Sequence, residues 1–251
     1  LYLQRLGAVV AGDGGTYDAS REAARWLALW MAFDDIVRVA DLKSRASRFE
    51  RVAREAKADA ADLLRVYEHF KPGVPEFAGL LPPAWAQRLL RWDERRVAAG
   101  RERFELPIKL ASHSVTGFLA LRLLAGLKGW RQRGARFAQE QAQIDRWLNT
   151  LTQGLAADAT LGLEIARCGR LIKGYGSTNE RGKRNLLHVL DHLALDAARP
   201  PADRAAGIAA ARTAALADEA GRQLDQALVA HGAPPRPLVA QPIRFHRRRP
   251  A

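Results

Sequence analysis

Large apolar side chains recur every three or four residues from Asp18 onwards, and this spacing limits the chain to a mainly helical fold. Asp18 is a residue type that commonly caps a helix N-terminus. The first apolar series lies on one face of a predicted helix: Ala23, Trp26, Leu27, Trp30, Phe33, Val37 and Ala40. Further helices are predicted over residues 45–57, 82–99, 118–127, 137–151, 161–172, 181–195 and 203–230.

Two short segments depart from the helical period. Residues 64–70 alternate and end at a Lys-Pro-Gly sequence, and residues 104–110 alternate as well, which predicts two strands. Pro107 would confine its strand to a sheet edge. The helix over residues 118–127 is apolar nearly all round, which is typical of a central, buried helix. The predicted fold is therefore mainly α: a single helical domain over residues 1–231 with a small two-stranded β element.

The C-terminal residues 232–251 contain five Arg, five Pro and no acidic residue. Such a segment cannot bury enough apolar surface to fold, so a disordered basic tail is predicted. The whole chain carries a net charge of +13, which favours an anionic partner. The chain begins at Leu1 and its single methionine is Met31, so we expect a fragment of a longer protein.

The chain contains one cysteine, Cys168. A single cysteine excludes an internal disulfide and a cysteine-ligated iron–sulfur cluster or cysteine-rich zinc site within this chain. It also favours a reducing compartment, which predicts a cytoplasmic location. No apolar stretch approaches the roughly 20 residues that span a bilayer, so no membrane partner is expected.

Three short motifs have a functional and a structural interpretation. Gly12-Asp13-Gly14 is similar to the Mg²⁺-holding turn of thiamine-diphosphate enzymes, but the first asparagine is Asn149, so a connecting loop is favoured. The neighbouring Asp34 and Asp35 could be an acid–base pair, but ion pairing with Arg38 explains them. His188 and His192 share a helical face but have no obvious third ligand, so no metal site is predicted.

A basic stretch over residues 167–184 encloses a glycine-rich turn just before a predicted helix. Flexible glycines, hydroxyl groups and a helix N-terminus could hold a phosphate or a carboxylate. A helix–helix turn with solvated charges is the favoured interpretation, because short glycine motifs are weak signals. The candidate anion-binding residues are Lys173, Gly174, Tyr175, Gly176, Ser177, Thr178, Arg181 and Lys183.

Four sequence blocks carry a resemblance to a known family: residues 26–43, 70–73, 117–128 and 170–176. In order and approximate spacing they resemble the C-terminal region of the beta subunit of bacterial indolepyruvate oxidoreductases, over roughly residues 1–195. That family is similar to the 2-oxoacid:ferredoxin oxidoreductases, which decarboxylate a 2-oxoacid on thiamine diphosphate, pass electrons to iron–sulfur clusters and form an acyl-CoA. The resemblance implies that thiamine diphosphate, Mg²⁺ and the clusters belong to the alpha subunit, and that no cofactor lies in this region.

The resulting hypothesis is a non-catalytic accessory or subunit-contact domain of an arylpyruvate-type oxidoreductase. We expect its partner to be the alpha subunit, with ferredoxin or CoA as further candidates for the basic surface. No family catalytic residue maps onto this chain, so the anion-binding block rests on the residues alone. The alternative is a basic helical nucleic-acid-binding module that uses Trp130, Arg131, Arg133, Arg136 and the arginine-rich tail.

Overall fold

A computed structural model describes residues 1–33, 35–59, 62–174 and 176–237. Within these residues the backbone forms thirteen α-helices, a 3₁₀ turn, a π-helical turn and two strands. The α-helices are α1 (Tyr2–Gly12), α2 (Asp18–Met31), α3 (Ile36–Lys43), α4 (Ala46–Glu55), α5 (Val74–Leu80), α6 (Pro83–Ala98), α7 (Val115–Gly126), α8 (Lys128–Arg131), α9 (Ala135–Ala157), α10 (Ala159–Arg167), α11 (Ser177–Val189), α12 (Pro201–Ala217) and α13 (Arg222–Ala230). The mainly helical prediction is confirmed.

The chain divides into two compact units. Unit 1 comprises Leu1–Leu27 and Trp147–Ala251, and unit 2 comprises Ala28–Arg146. Each unit has its own packed interior. The predicted domain over residues 1–231 stays a prediction.

Unit 2 contains the two-stranded sheet of β1 (Tyr67–Phe70) and β2 (Ile108–Ala111). The strands are antiparallel, with Tyr67 opposite Ala111 and Phe70 opposite Ile108. The predicted β element is thus confirmed, and Pro107 precedes its strand, where its missing N–H costs no ladder hydrogen bond. A small core of Ala40, Leu121 and Ala125 packs beside the sheet.

Unit 1 has a large apolar interior. Trp147, Leu161 and Ile165 are fully buried, and the indole Nε1 of Trp147 donates to the carbonyl of Ile165 at 2.9 Å. Gly169 lies in the 3₁₀ turn Cys168–Leu171 and touches Trp26 so closely that an added Cβ would approach the Trp26 Cβ to 2.5 Å. This contact requires glycine at position 169.

Two predicted helices are interrupted. The apolar series from Ala23 to Ala40 spans α2 and α3, which are separate helices because Asp35 accepts a hydrogen bond from the Arg38 N–H at 2.8 Å and starts α3. The predicted helix over residues 203–230 is divided into α12 and α13. Gly221, with φ of 79°, lies between them in the left-handed region that glycine tolerates.

The first residues of the predicted tail have defined contacts. The Arg236 guanidinium donates to Asp225 and, at 3.0 Å, to the Asn185 Oδ1. The Arg236 side chain hydrogen bond holds the pKa of Asp225 below its ordinary value. The structure therefore places residues 232–237 on unit 1, in contrast to the predicted disorder from residue 232, and residues 238–251 of the predicted tail lie outside the described residues.

Candidate functional site

The predicted anion-binding block forms a glycine turn in front of α11. Gly174 and Gly176 have φ of 75° and 54°, a backbone conformation that favours glycine. Lys173 is exposed, whereas Tyr175 and the side chain of Ser177 lie outside the described residues. The Thr178 side chain lies against Gly174, where an added Cβ would approach it to 3.0 Å. The predicted break between two helices is confirmed here.

The two cations that follow this turn have carboxylate partners. Arg181 forms an ion pair with Glu219 at 3.0 Å. Lys183 is buried and pairs with Glu180 at 3.3 Å. Both side chains are therefore engaged with carboxylates of the chain itself, and anion binding at the block stays a prediction.

Asp13 of the Gly-Asp-Gly motif performs a structural role. Its Oδ2 atom accepts hydrogen bonds from the Ser20 N–H at 2.8 Å and from the Ser20 hydroxyl at 2.7 Å. Because these bonds fix the start of α2 to the preceding loop, they agree with the interpretation of the motif as a connecting loop.

The aspartates of α3 are engaged with cations. Asp35 forms an ion pair with Arg131, and Asp34 lies outside the described residues. Asp41 pairs with Arg45 at 2.6 Å and with Lys128 at 3.2 Å. The Arg45 hydrogen bond, followed by that of Lys128, holds the pKa of Asp41 below its ordinary value. Asp41 therefore stays ionised at neutral pH, and both Asp35 and Asp41 serve as ion-pair partners.

The two histidines of the possible metal pair lie side by side. The rings of His188 and His192 have centroids 4.3 Å apart, and the His188 Nε2 lies 2.8 Å from the carbonyl oxygen of Pro234. Among the described residues, no group of three or more histidine, cysteine or carboxylate side chains could hold a metal ion. Burial raises the pKa of the Cys168 thiol to about 12, so this thiol stays protonated at neutral pH.

The prediction of a buried central helix over residues 118–127 is wrong. Helix α7 exposes an apolar face, of which Leu123 is 77% and Leu119 is 59% exposed. Four members follow one another at intervals of four residues, the last at the C-cap of α7, and Phe118 lies three residues after the first, which aligns them along the helix. The α7 apolar face consists of Val115, Phe118, Leu119, Leu123 and Leu127.

The opposite side of α7 is packed against unit 2 and fixes the helix in place. Leu121 and Ala125 contact the Ala40 core. Gly117 lies so close to the end of β2 that an added Cβ would be 2.0 Å from the Ala111 carbonyl oxygen. Ser114 caps the helix by accepting from the Gly117 N–H at 3.1 Å. The α7 apolar face is thus displayed on a rigid support.

Helix α7 and the segments that flank it are basic in sequence, because residues 106–139 contain no acidic residue. Arg122 is exposed on α7 itself. Lys109 lies over the Tyr67 ring at 4.6 Å, on the face of the sheet opposite to Leu110, which packs against the Ala40 core. The sequence did not predict this surface. A helix that is apolar on all sides gives no indication of which side is covered by other elements and which is exposed.

The residues of the alternative nucleic-acid site are partly engaged within unit 2. Arg131 pairs with Asp35 and Arg136 pairs with Glu140. Arg133 lies 5.5 Å from the ring centroid of the exposed Trp130. The charges of two of the three arginines are therefore neutralised internally.

No helix among the described residues is both long enough and apolar enough to cross a membrane. The profile of a family described as "Family of unknown function (DUF6537)" matches residues 1–192. No curated protein and no solved structure matches the chain.

Proposed function

The chain belongs to this family of unknown function, and we propose that it is a non-catalytic accessory domain that contacts another subunit of an indolepyruvate-type 2-oxoacid:ferredoxin oxidoreductase. The four sequence blocks that resemble such enzymes all lie within the residues that the family profile matches. In this proposal thiamine diphosphate, Mg²⁺ and iron–sulfur clusters belong to the partner subunit. The domain acts in the cytoplasm and carries no active site of its own.

The observation that carries the proposal is the α7 apolar face. Contiguous exposed apolar side chains are uncommon on monomeric proteins and mark interaction surfaces. Leu119 and Leu123 occupy adjacent turns on this face, and their helix is held by the close contact of Gly117 with Ala111. A helix that is already packed in place suits docking of a preformed partner, because binding does not have to order the α7 backbone.

The charge of α7 indicates the chemistry of the partner. A surface with acidic residues around an apolar centre would complement the exposed Arg122, and would exclude other basic surfaces. We assign this role to the cofactor-bearing alpha subunit of the oxidoreductase. Ferredoxin and CoA remain candidates for the separate basic block around Lys173.

The experiment is purification of the native protein from its source, followed by mass spectrometry and cofactor analysis. The expected result is a complex with a large cysteine-rich chain that carries iron, sulfide and thiamine diphosphate. Isolation without these cofactors and with bound nucleic acid would overturn the proposal in favour of the alternative module.

A matched set of variants tests the surface itself. The double variant Leu119→Ser/Leu123→Ser should weaken association with the purified alpha subunit at least about tenfold, because each loses an apolar contact at the centre of the interface. Leu63→Ser, which changes a 91% exposed leucine outside α7, should bind as the unaltered chain does. Equal affinity of all three proteins in calorimetric titration would show that α7 is not the contact surface.

A further inference from the structure

Unit 1 contains a polar cavity of about 530 Å³ whose wall is rich in arginine. Helix α2 contributes Glu22, Arg25 and Trp26, at positions that share one helical face. The remaining side chains come from the end of α10, the 3₁₀ turn and α12: Arg167, Arg170 and Arg212. The volume lies in the range of roughly 300–1,000 Å³ that is usual for small-molecule sites.

A buried carboxylate holds two of the guanidinium groups in place. Glu164 is 7% exposed and forms an ion pair at 2.6 Å with Arg167 through one oxygen. Its other oxygen pairs with Arg212. Each guanidinium has five N–H donors, so both arginines keep donors for a further acceptor. Their positions are fixed by Glu164, which is not part of the cavity wall.

The other two arginines are not neutralised. Arg25 and Arg170 are exposed at the cavity, and within the described residues neither has a carboxylate at ion-pair distance. Arg25 lies 5.7 Å from the ring centroid of Trp26. The only acidic side chain in the cavity wall, Glu22, accepts a hydrogen bond from the Trp26 Nε1 at 2.7 Å. The cavity wall therefore carries four guanidinium groups and one carboxylate, that of Glu22. The second nearby carboxylate, that of Glu164, lies outside the wall, and both carboxylates are already hydrogen-bonded.

We propose that this cavity binds a phosphate ester, with its phosphoryl group held by Arg25, Arg167, Arg170 and Arg212. A phosphate monoester carries about −1.5 to −2 charges at neutral pH, which matches the excess of guanidinium over carboxylate groups. Guanidinium forks donate two parallel hydrogen bonds to phosphate oxygens. The volume leaves room for an organic group of nucleotide size beside Trp26. This site is separate from the α7 apolar face, and its existence does not depend on the oxidoreductase proposal.

Charge repulsion gives a ligand-free test. At low ionic strength and without multivalent anions, Arg25 and Arg170 repel Arg167 and Arg212. Because both groups are exposed, Arg25→Gln and Arg170→Gln should each raise the melting temperature of the full chain by a small amount. Arg21→Gln is the matched control, because Arg21 is an exposed arginine on the same helix that lies outside the cavity wall and pairs with Asp18 at 3.4 Å. A lowered melting temperature in the two cavity variants, with the control unchanged, would overturn the proposed repulsion.

The binding test is calorimetric titration of the full chain with inorganic phosphate, adenosine 5′-monophosphate and adenosine at constant ionic strength. Both phosphates should bind and adenosine alone should not. Tighter binding of the nucleotide than of inorganic phosphate would identify an organic phosphate ester as the ligand. Equal binding of the two would identify free phosphate as the ligand.

The variants locate that binding. The double variant Arg25→Gln/Arg170→Gln should weaken phosphate binding at least about tenfold, because it removes two charge-assisted contacts. Arg21→Gln should bind as the unaltered chain does. The proposal is overturned if neither phosphate binds, or if the cavity variants and the control lose affinity equally.

Discussion

Unit 1 and unit 2 expose different kinds of side chain at their candidate sites. In unit 1, Trp147 is fully buried, whereas the exposed Arg25 lines a cavity and has no carboxylate at ion-pair distance in the part of the chain that the structure describes. In unit 2, Leu123 and Trp85 are exposed, whereas Arg131 is paired with Asp35. Ten of the twelve largest fully buried side chains among the described residues belong to unit 1.

This difference separates two kinds of recognition. An uncompensated guanidinium group in a concave wall is satisfied by a small anion, which supplies charge and hydrogen-bond acceptors. An exposed leucine on a rigid helix is satisfied by another protein surface, which removes apolar area from water. In our two proposals, unit 1 is therefore a ligand-binding region and unit 2 is a protein-docking region.

The largest effect that would sharpen the comparison comes from removing one tryptophan from each unit. Trp147→Ala should cost about 3–5 kcal/mol of unfolding free energy, because it leaves a cavity in a packed interior. Trp85→Ala should change stability by no more than about 0.5 kcal/mol, since Trp85 is 62% exposed. Urea unfolding followed by circular dichroism measures both. An equal loss of unfolding free energy in the two variants would contradict this difference between the tryptophans of the two units.

A smaller effect tests whether unit 2 supports its exposed helix rigidly. Gly117→Ala should cost about 1–3 kcal/mol, because the new Cβ would be 2.0 Å from the Ala111 carbonyl oxygen. Gly126→Ala, in the same helix, should not destabilise the protein and should add at most about 1 kcal/mol, because nothing lies within 4 Å of its new Cβ. The same urea titration applies. If Gly117→Ala proves neutral, α7 is not held as tightly as this contact requires.

The smallest effect, taken per pH unit, concerns the buried thiol of unit 1. Burial raises the pKa of Cys168 from 9.0 to about 12, so above pH 9 the unfolded chain loses a proton that the folded chain keeps. The unfolding free energy should therefore fall as pH rises, by about 1.4 kcal/mol per pH unit from this group. The measurement is the difference in alkaline stability between the unaltered chain and Cys168→Ala. Parallel pH profiles would mean that the thiol is open to solvent.

The sequence predicted the local elements well because their signals are local. The three- and four-residue spacing around Leu27 and Trp30 predicted their burial, and Pro83 begins α6 as a proline in the first helical turn commonly does. Alternation predicted both strands within a few residues. The pairing of Tyr67 with Ala111 was not predicted, because α5 and α6 separate the two strands in the chain and the register depends on tertiary packing.

The functional surfaces were harder to predict because they depend on tertiary packing. Arg167 and Arg170 belong to the basic stretch over residues 167–184. Arg25 and Arg212 are distant from it in sequence and join it in the cavity wall only through the fold. Leu119 and Leu123 were expected to be buried, because hydrophobicity alone does not show which neighbour covers a helix. Conversely, the sequence predicted Arg181 and Lys183 as anion-binding residues, whereas in the structure each forms an ion pair with a carboxylate of the chain.

The discontinuous composition of unit 1 has a consequence for synthesis on the ribosome. Trp26 packs on Gly169, and roughly 140 residues must be added between them, including all of unit 2. At about 5–20 residues per second, the first segment of unit 1 spends roughly 7–30 s without this contact. During translation the apolar side chains of α2, including Leu27, are therefore available to chaperones, while unit 2 is a continuous stretch that can fold as soon as it has emerged.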